Sequence, residues 1–162
     1  MISQTTEYAL RAVVYLAQHP HESWTTRQIA AATRVPAGYL SKVLQGLSRS
    51  GLISSQRGRH GGFQLTHEPA ELTMLQVVNA VEPIRRIKMC PLKLGSHGEG
   101  LCPLHKCLDQ TIAMVEHAFG STTVAQLLGK PDTPEPLCEF PYGNQFNSSG
   151  PGRPITPTRD AT

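Results

Sequence analysis

The chain has 162 residues with 39% hydrophobic and 17% charged side chains, against roughly 25% charged in an average soluble protein. That is enough apolar material for one domain with a core. It contains no run near the ~18 uninterrupted apolar residues of a membrane span and no basic-then-apolar secretory leader, so a soluble cytoplasmic protein with no membrane partner is expected. The net charge of +3 divides unevenly: residues 1–66 hold seven Lys/Arg and two acids, while residues 67–162 hold eight and ten. A basic half joined to a mildly acidic one suits a protein that meets a polyanion with one part only.

The first expected element is a helix from about Ser3 to Gln18, with Ala9, Leu10, Val13, Leu16 and Ala17 at helical spacing. Thr25 and Gln28 have the spacing of a capping box and open a short helix through Ile29 and Ala32. Pro36 suits the first turn of the next helix, where a missing N–H costs nothing. That helix carries Leu40, Val43, Leu44 and Leu47 on one face, and Gly51 ends it. Two short helices after a longer one, separated by a tight turn, form a helix-turn-helix pattern.

Two short strands follow, Leu52–Gln56 and Phe63–Thr66, around Arg57-Gly58-Arg59-His60-Gly61-Gly62. Glycines supply the backbone freedom of a hairpin turn, so this segment is a β-hairpin wing with Arg57 and Arg59 at its tip. Thr73 and Gln76 cap a further helix that stops at Pro83, and a cysteine- and glycine-rich loop occupies 84–102. Pro103 opens a long helix striped by Leu104, Leu108, Ile112, Val115 and Phe119, and a last short helix runs from Thr123 to Gly129. Seven of the thirteen prolines lie beyond residue 130, so residues 131–162 are expected to be a disordered tail. The expected architecture is mainly α with a small β-hairpin. It divides into a winged helix-turn-helix over 1–66, a ligand-binding loop with its helices over 67–130, and the tail.

A helix in the major groove reads bases through its N-terminal residues. Here those are Ala37, Gly38, Tyr39, Ser41 and Lys42, while Leu40, Val43 and Leu44 face inward. Arginine on a wing tip reads the width and potential of a narrow minor groove. Arg57 and Arg59 therefore join the candidate duplex-binding set. The competing reading is a winged helix that docks on a protein, with its arginines solvated.

The stretches Glu7-Tyr8-Ala9-Leu10-Arg11, Gly38-Tyr39-Leu40, Ser50–Ser55, Arg57-Gly58-x-x-Gly61-Gly62-Phe63-x-Leu65 and Ala80-Val81-Glu82 resemble the winged-helix bacterial regulators that include IscR, NsrR and RirA. The resemblance covers residues 1 to about 129. It implies a homodimer that binds double-stranded DNA at a palindromic operator, with the 103–119 helix as its dimerisation element. It also implies an iron–sulfur cluster, [2Fe–2S] or [4Fe–4S], held by three cysteines and sensing nitric oxide, redox state or iron.

Cys90-x11-Cys102-x4-Cys107 offers those three thiolates, in the loop and the first turn of the next helix. Soft thiolates select iron–sulfur clusters or zinc. IscR-like members take a fourth ligand from a histidine three residues after the last cysteine, where this chain has Gln110. NsrR-like members take it from an acidic residue on the partner's first helix, where Glu7 stands. Glu7 is equally a first-turn carboxylate that complements the helix dipole. His97 or His105 would complete a Cys3His zinc site instead, and Cys138 in the tail is a free thiol or a fourth ligand. The alternative function is a zinc-bound or thiol-switching protein acting through a protein partner. An enzyme is disfavoured, since the chain has no Cys-x-x-Cys pair, phosphate-cradling glycine loop or Gly-x-Ser-x-Gly elbow.

Overall fold

The computed structural model describes residues 2–58, 61–91, 100–129 and 136–137. Arg59, His97, Cys138 and nearly all of the 131–162 tail lie outside them. Its elements are α1 (Gln4–Gln18), α2 (Thr26–Thr33), α3 (Ala37–Arg49), β1 (Ile53–Gln56), β2 (Gly62–Leu65), α4 (Met74–Val81), α5 (Pro103–Gly120) and α6 (Val124–Leu127). These fall within a residue or two of the sequence expectation, because local chemistry sets the ends. Complete capping boxes start α2 at Thr25, α4 at Thr73 and α6 at Thr123. In each, two backbone N–H groups of the first turn are satisfied reciprocally. Ser3 caps α1. One detail differs: Pro36 is the N-cap of α3, with extended ψ of 126°, and so stands just before the first turn.

α1, α2 and α3 pack around one core that includes the fully buried Ala9, Val13, Leu16, Ile29, Leu40, Leu44 and Leu47. Leu72, Val77 and Val124 belong to the same core, so α4 and α6 close it rather than forming one of their own. Their N-termini are stitched together: the Met74 N–H donates to the Thr122 carbonyl at 2.9 Å and the Val124 N–H to that of Leu72 at 2.8 Å. No helix of the described residues is long and apolar enough to cross a membrane.

β1 and β2 pair antiparallel, from Ile53 opposite Leu65 to Gln56 opposite Gly62. Trp24 adds a third rung, exchanging two backbone hydrogen bonds with Phe63, at 3.0 and 2.8 Å. Two glycines explain why the wing needs its sequence. Gly58 sits at φ +119°, a conformation an L side chain rarely adopts. A Cβ on Gly62 would lie 2.7 Å from the Trp24 carbonyl, closer than atoms approach. Gly62→Ala is therefore expected to unseat the wing from Trp24 while α1–α3 stay folded. The check is loss of amide-exchange protection at Phe63 and Trp24 with helical circular dichroism retained.

Candidate nucleic-acid interface and metal centre

The amphipathic period of α3 buries Leu40, Val43, Leu44 and Leu47 and leaves Ala37, Gly38, Tyr39, Lys42 and Gln45 exposed, with Ser41 half-buried. A Cβ on Gly38 would meet no atom within 4 Å. Packing does not demand glycine there, but a backbone that lets another molecule come close makes use of it. Lys42, Arg49 and Arg57 have no acidic partner among the described residues. Ser41 donates its hydroxyl to the Ala37 carbonyl at 3.0 Å, so it meets an outside group as an acceptor.

Tyr39 is less free than its position suggests. Its hydroxyl bonds Thr5 Oγ1 at 2.5 Å, and its ring stands edge-on to Tyr8 with centroids 5.5 Å apart. Although 40% exposed, it also docks α1 against α3. Gln45 is a residue that the sequence reading missed. Gly38, Ser41, Lys42 and Gln45 follow the i, i+3, i+4, i+7 spacing of one helix face, and the signal was a polar residue between the apolar pair 43–44 and Leu47.

The second constellation lies at the head of α5. Cys102 is the N-cap of that helix, so Cys107 falls in its second turn and not, as expected, the first. Residues 84–91 run back along α5, held by Arg86. Its Nε and Nη2 donate to the two Asp109 carboxylate oxygens at 2.7 and 2.6 Å, and Nη1 reaches Glu116 at 3.6 Å. The Ile87 N–H donates to Asp109 Oδ1 at 2.9 Å. The Arg86 guanidinium, with help from that N–H, holds the Asp109 carboxyl below its usual range, as such a fork does.

This staple delivers Cys90, only 7% exposed, to the start of α5. Cys90 Sγ lies 3.6 Å from His105 Nδ1, and Cys102 Sγ lies 3.1 Å from the same atom. All three donor atoms are within 4.8 Å of one another. The Cys102 thiol is lowered to about 7, first by the His105 backbone N–H at the helix start and then by its imidazole. Its thiolate, the form that binds metal, is thus accessible near neutrality.

The sequence-derived ligand set is only partly assembled. Cys90 and Cys102 meet, but Cys107 is exposed and apart from them. Two residues along a helix turn about 200° around its axis, so Cys107 points away from the side His105 presents. Glu7 sits in the first turn of α1, ion-paired with Arg11. The donor that lies beside Cys90 and Cys102 within the chain is His105. Its i+3 spacing from Cys102 across a helix start was the signal for it.

A family model described as Rrf2, an iron-dependent transcriptional regulator, matches residues 2–130. The chain belongs to the Rrf2 family. It is 34% identical over 142 residues to the HTH-type transcriptional regulator NsrR of Shouchella clausii, covering 86% of this chain and 95% of that one. NsrR of Geobacillus kaustophilus is 31% identical over 133 residues, 78% and 88% of the two chains. Among solved structures, the global cysteine regulator CymR of B. subtilis superposes with a TM-score of 0.64 at 23% identity, over 78% of this chain and 95% of that one. T. potens IscR gives 0.63 at 22%, over 79% and 85%. Those two likenesses establish the shared winged-helix fold. This Rrf2 protein is a DNA-binding transcriptional regulator and not an enzyme.

Proposed function

We propose that this Rrf2-family chain is a homodimeric repressor that binds a palindromic operator through α3 and the wing. We further propose that its grip on DNA is set by a thiolate-bound metal centre at the head of α5. The observation that carries the reading is the state of α5. Among the described residues this 18-residue helix has no fully buried side chain; Ile112 and Phe119 are half-buried, and Leu104 (63%), Leu108, Met114 (64%) and Val115 are exposed. A helix of that length with such an exposed apolar face suits the seam of a two-fold dimer, which would set two recognition helices ~34–36 Å apart, one turn of DNA.

The centre and the seam share one element. A metal held by Cys90 and Cys102 would tie residues 84–91 to the first turn of α5, and so bear on the helix that sets the spacing of the two reading heads. An iron–sulfur cluster on Cys90, Cys102 and Cys107 fits this donor arrangement at two thiols only.

The test is fluorescence anisotropy with duplexes from the chain's own promoter region at several salt concentrations. A dimer neutralising 6–10 phosphates is expected to lose roughly 10³–10⁵ in affinity between 50 and 200 mM salt. Chelator treatment should shift its operator affinity by about 10-fold or more, a coupling in the usual allosteric range. Affinity indifferent to salt, or a monomer at all concentrations, would sink the reading.

A further inference from the structure

The cysteine–histidine group supports a more specific assignment, which deepens the metal-centre reading above and rests on it. We propose that Cys90 Sγ, Cys102 Sγ and His105 Nδ1 form a mononuclear site for a zinc-class divalent ion, with Cys107 and Glu7 outside the coordination sphere.

Chemistry and geometry agree on this. Mixed thiolate and imidazole donors suit a borderline-soft ion such as zinc. Zinc–sulfur bonds of ~2.3 Å and zinc–nitrogen bonds of ~2.0–2.1 Å in a tetrahedron separate the ligand atoms by roughly 3.5–3.8 Å. The observed sulfur–nitrogen separations of 3.6 and 3.1 Å need only a small adjustment to reach that. Cys90 is buried, and Cys102 and His105 are half-buried, so the donors sit in a partly enclosed niche. Backbone geometry holds them there: Cys102 and His105 are N-cap and N3 of one helix, and the Arg86–Asp109 fork fixes the segment that brings Cys90. Cys107, in the second turn of α5, is exposed and is not among the donor atoms that lie within 4.8 Å of one another.

The experiment uses the full chain, stripped with chelator under reducing conditions, then titrated with zinc and with cobalt. One metal per chain is expected, with the visible d–d bands of tetrahedral cobalt–thiolate. Cys107→Ser and Glu7→Gln should leave stoichiometry and affinity within about 3-fold of the parent. Cys90→Ser, Cys102→Ser and His105→Ala should each weaken binding by more than the roughly 10–100-fold that loss of an outer-shell partner costs. His105→Cys should restore it, because a third thiolate serves the same ion, whereas a merely structural histidine would not be rescued this way.

Cys107→Ser abolishing the metal, His105→Ala leaving it intact, or anaerobic protein carrying iron and sulfide in place of zinc would each overturn the assignment. Operator binding is measured on the same samples. A chain that takes up no zinc yet binds its operator with a steep salt dependence overturns this site and leaves the DNA-binding reading standing.

Discussion

Replacing Lys42 and Arg57 together with alanine is expected to flatten the salt dependence of operator binding by about 1.8 in log–log slope per subunit, at ~0.9 per phosphate contact. Extrapolated to 0.1 M salt, that loss amounts to roughly 60-fold in affinity, or about 2.4 kcal/mol. Both side chains are exposed and lack an acidic partner among the described residues. Among the described residues no carboxylate competes for their charge, and none is left unpaired when they go. Thermal stability should accordingly stay within about 0.5 kcal/mol of the parent, as for surface substitutions generally. The measurement is anisotropy at four or more salt concentrations beside a melting curve. A lowered affinity with an unchanged slope would mean that the two cations do not touch phosphate.

Leu44→Ala is expected to cost 2–5 kcal/mol of folding free energy, the range for leucine-to-alanine changes in a packed core. Leu44 is fully buried where α3 meets the common core with Leu40, Leu47, Val13 and Ile29. A domain of this size holds only ~5–15 kcal/mol in total, so a sizeable unfolded fraction would follow at moderate temperature. In urea the midpoint should fall while the slope stays constant. Operator binding should decline with the folded fraction, with the parent's salt dependence retained in what remains. Leu108→Ala on α5 is the contrast. Leu108 is exposed within its own chain, so stability measured at concentrations where the chain is monomeric should barely change. Its effect should appear instead in the concentration dependence of dimerisation.

Element positions were legible in the sequence because the signals that set them are local. Thr25–Gln28, Thr73–Gln76 and Thr123–Gln126 each satisfy two backbone donors within four residues, and the apolar period of α3 names its inward face without reference to any neighbour. The wing was legible for the same reason, through Gly58 and the Gly61-Gly62 pair. The role of Trp24 was not: its pairing with Phe63 joins residues far apart in sequence, and nothing near Trp24 announces it. Tyr39 shows the limit from the other side. Its place on the exposed face of α3 follows from periodicity, yet its bond to Thr5 depends on how α1 crosses α3.

The cysteine loop separates the two kinds of knowledge most sharply. By itself the chain's chemistry determined that soft donors cluster between residues 90 and 107, next to a helix opened by Pro103, in a winged-helix protein whose first 66 residues are net basic. Only the tertiary structure decided which donors converge. A loop can carry Cys90 to many places, and the Arg86–Asp109 fork, spanning 23 residues, selects the one beside Cys102 and His105. The turn of α5 then carries Cys107 away. Residue spacing counts candidate ligands, but coordination requires atoms within a few ångströms, and that distance is set by packing between segments that the linear order does not bring together.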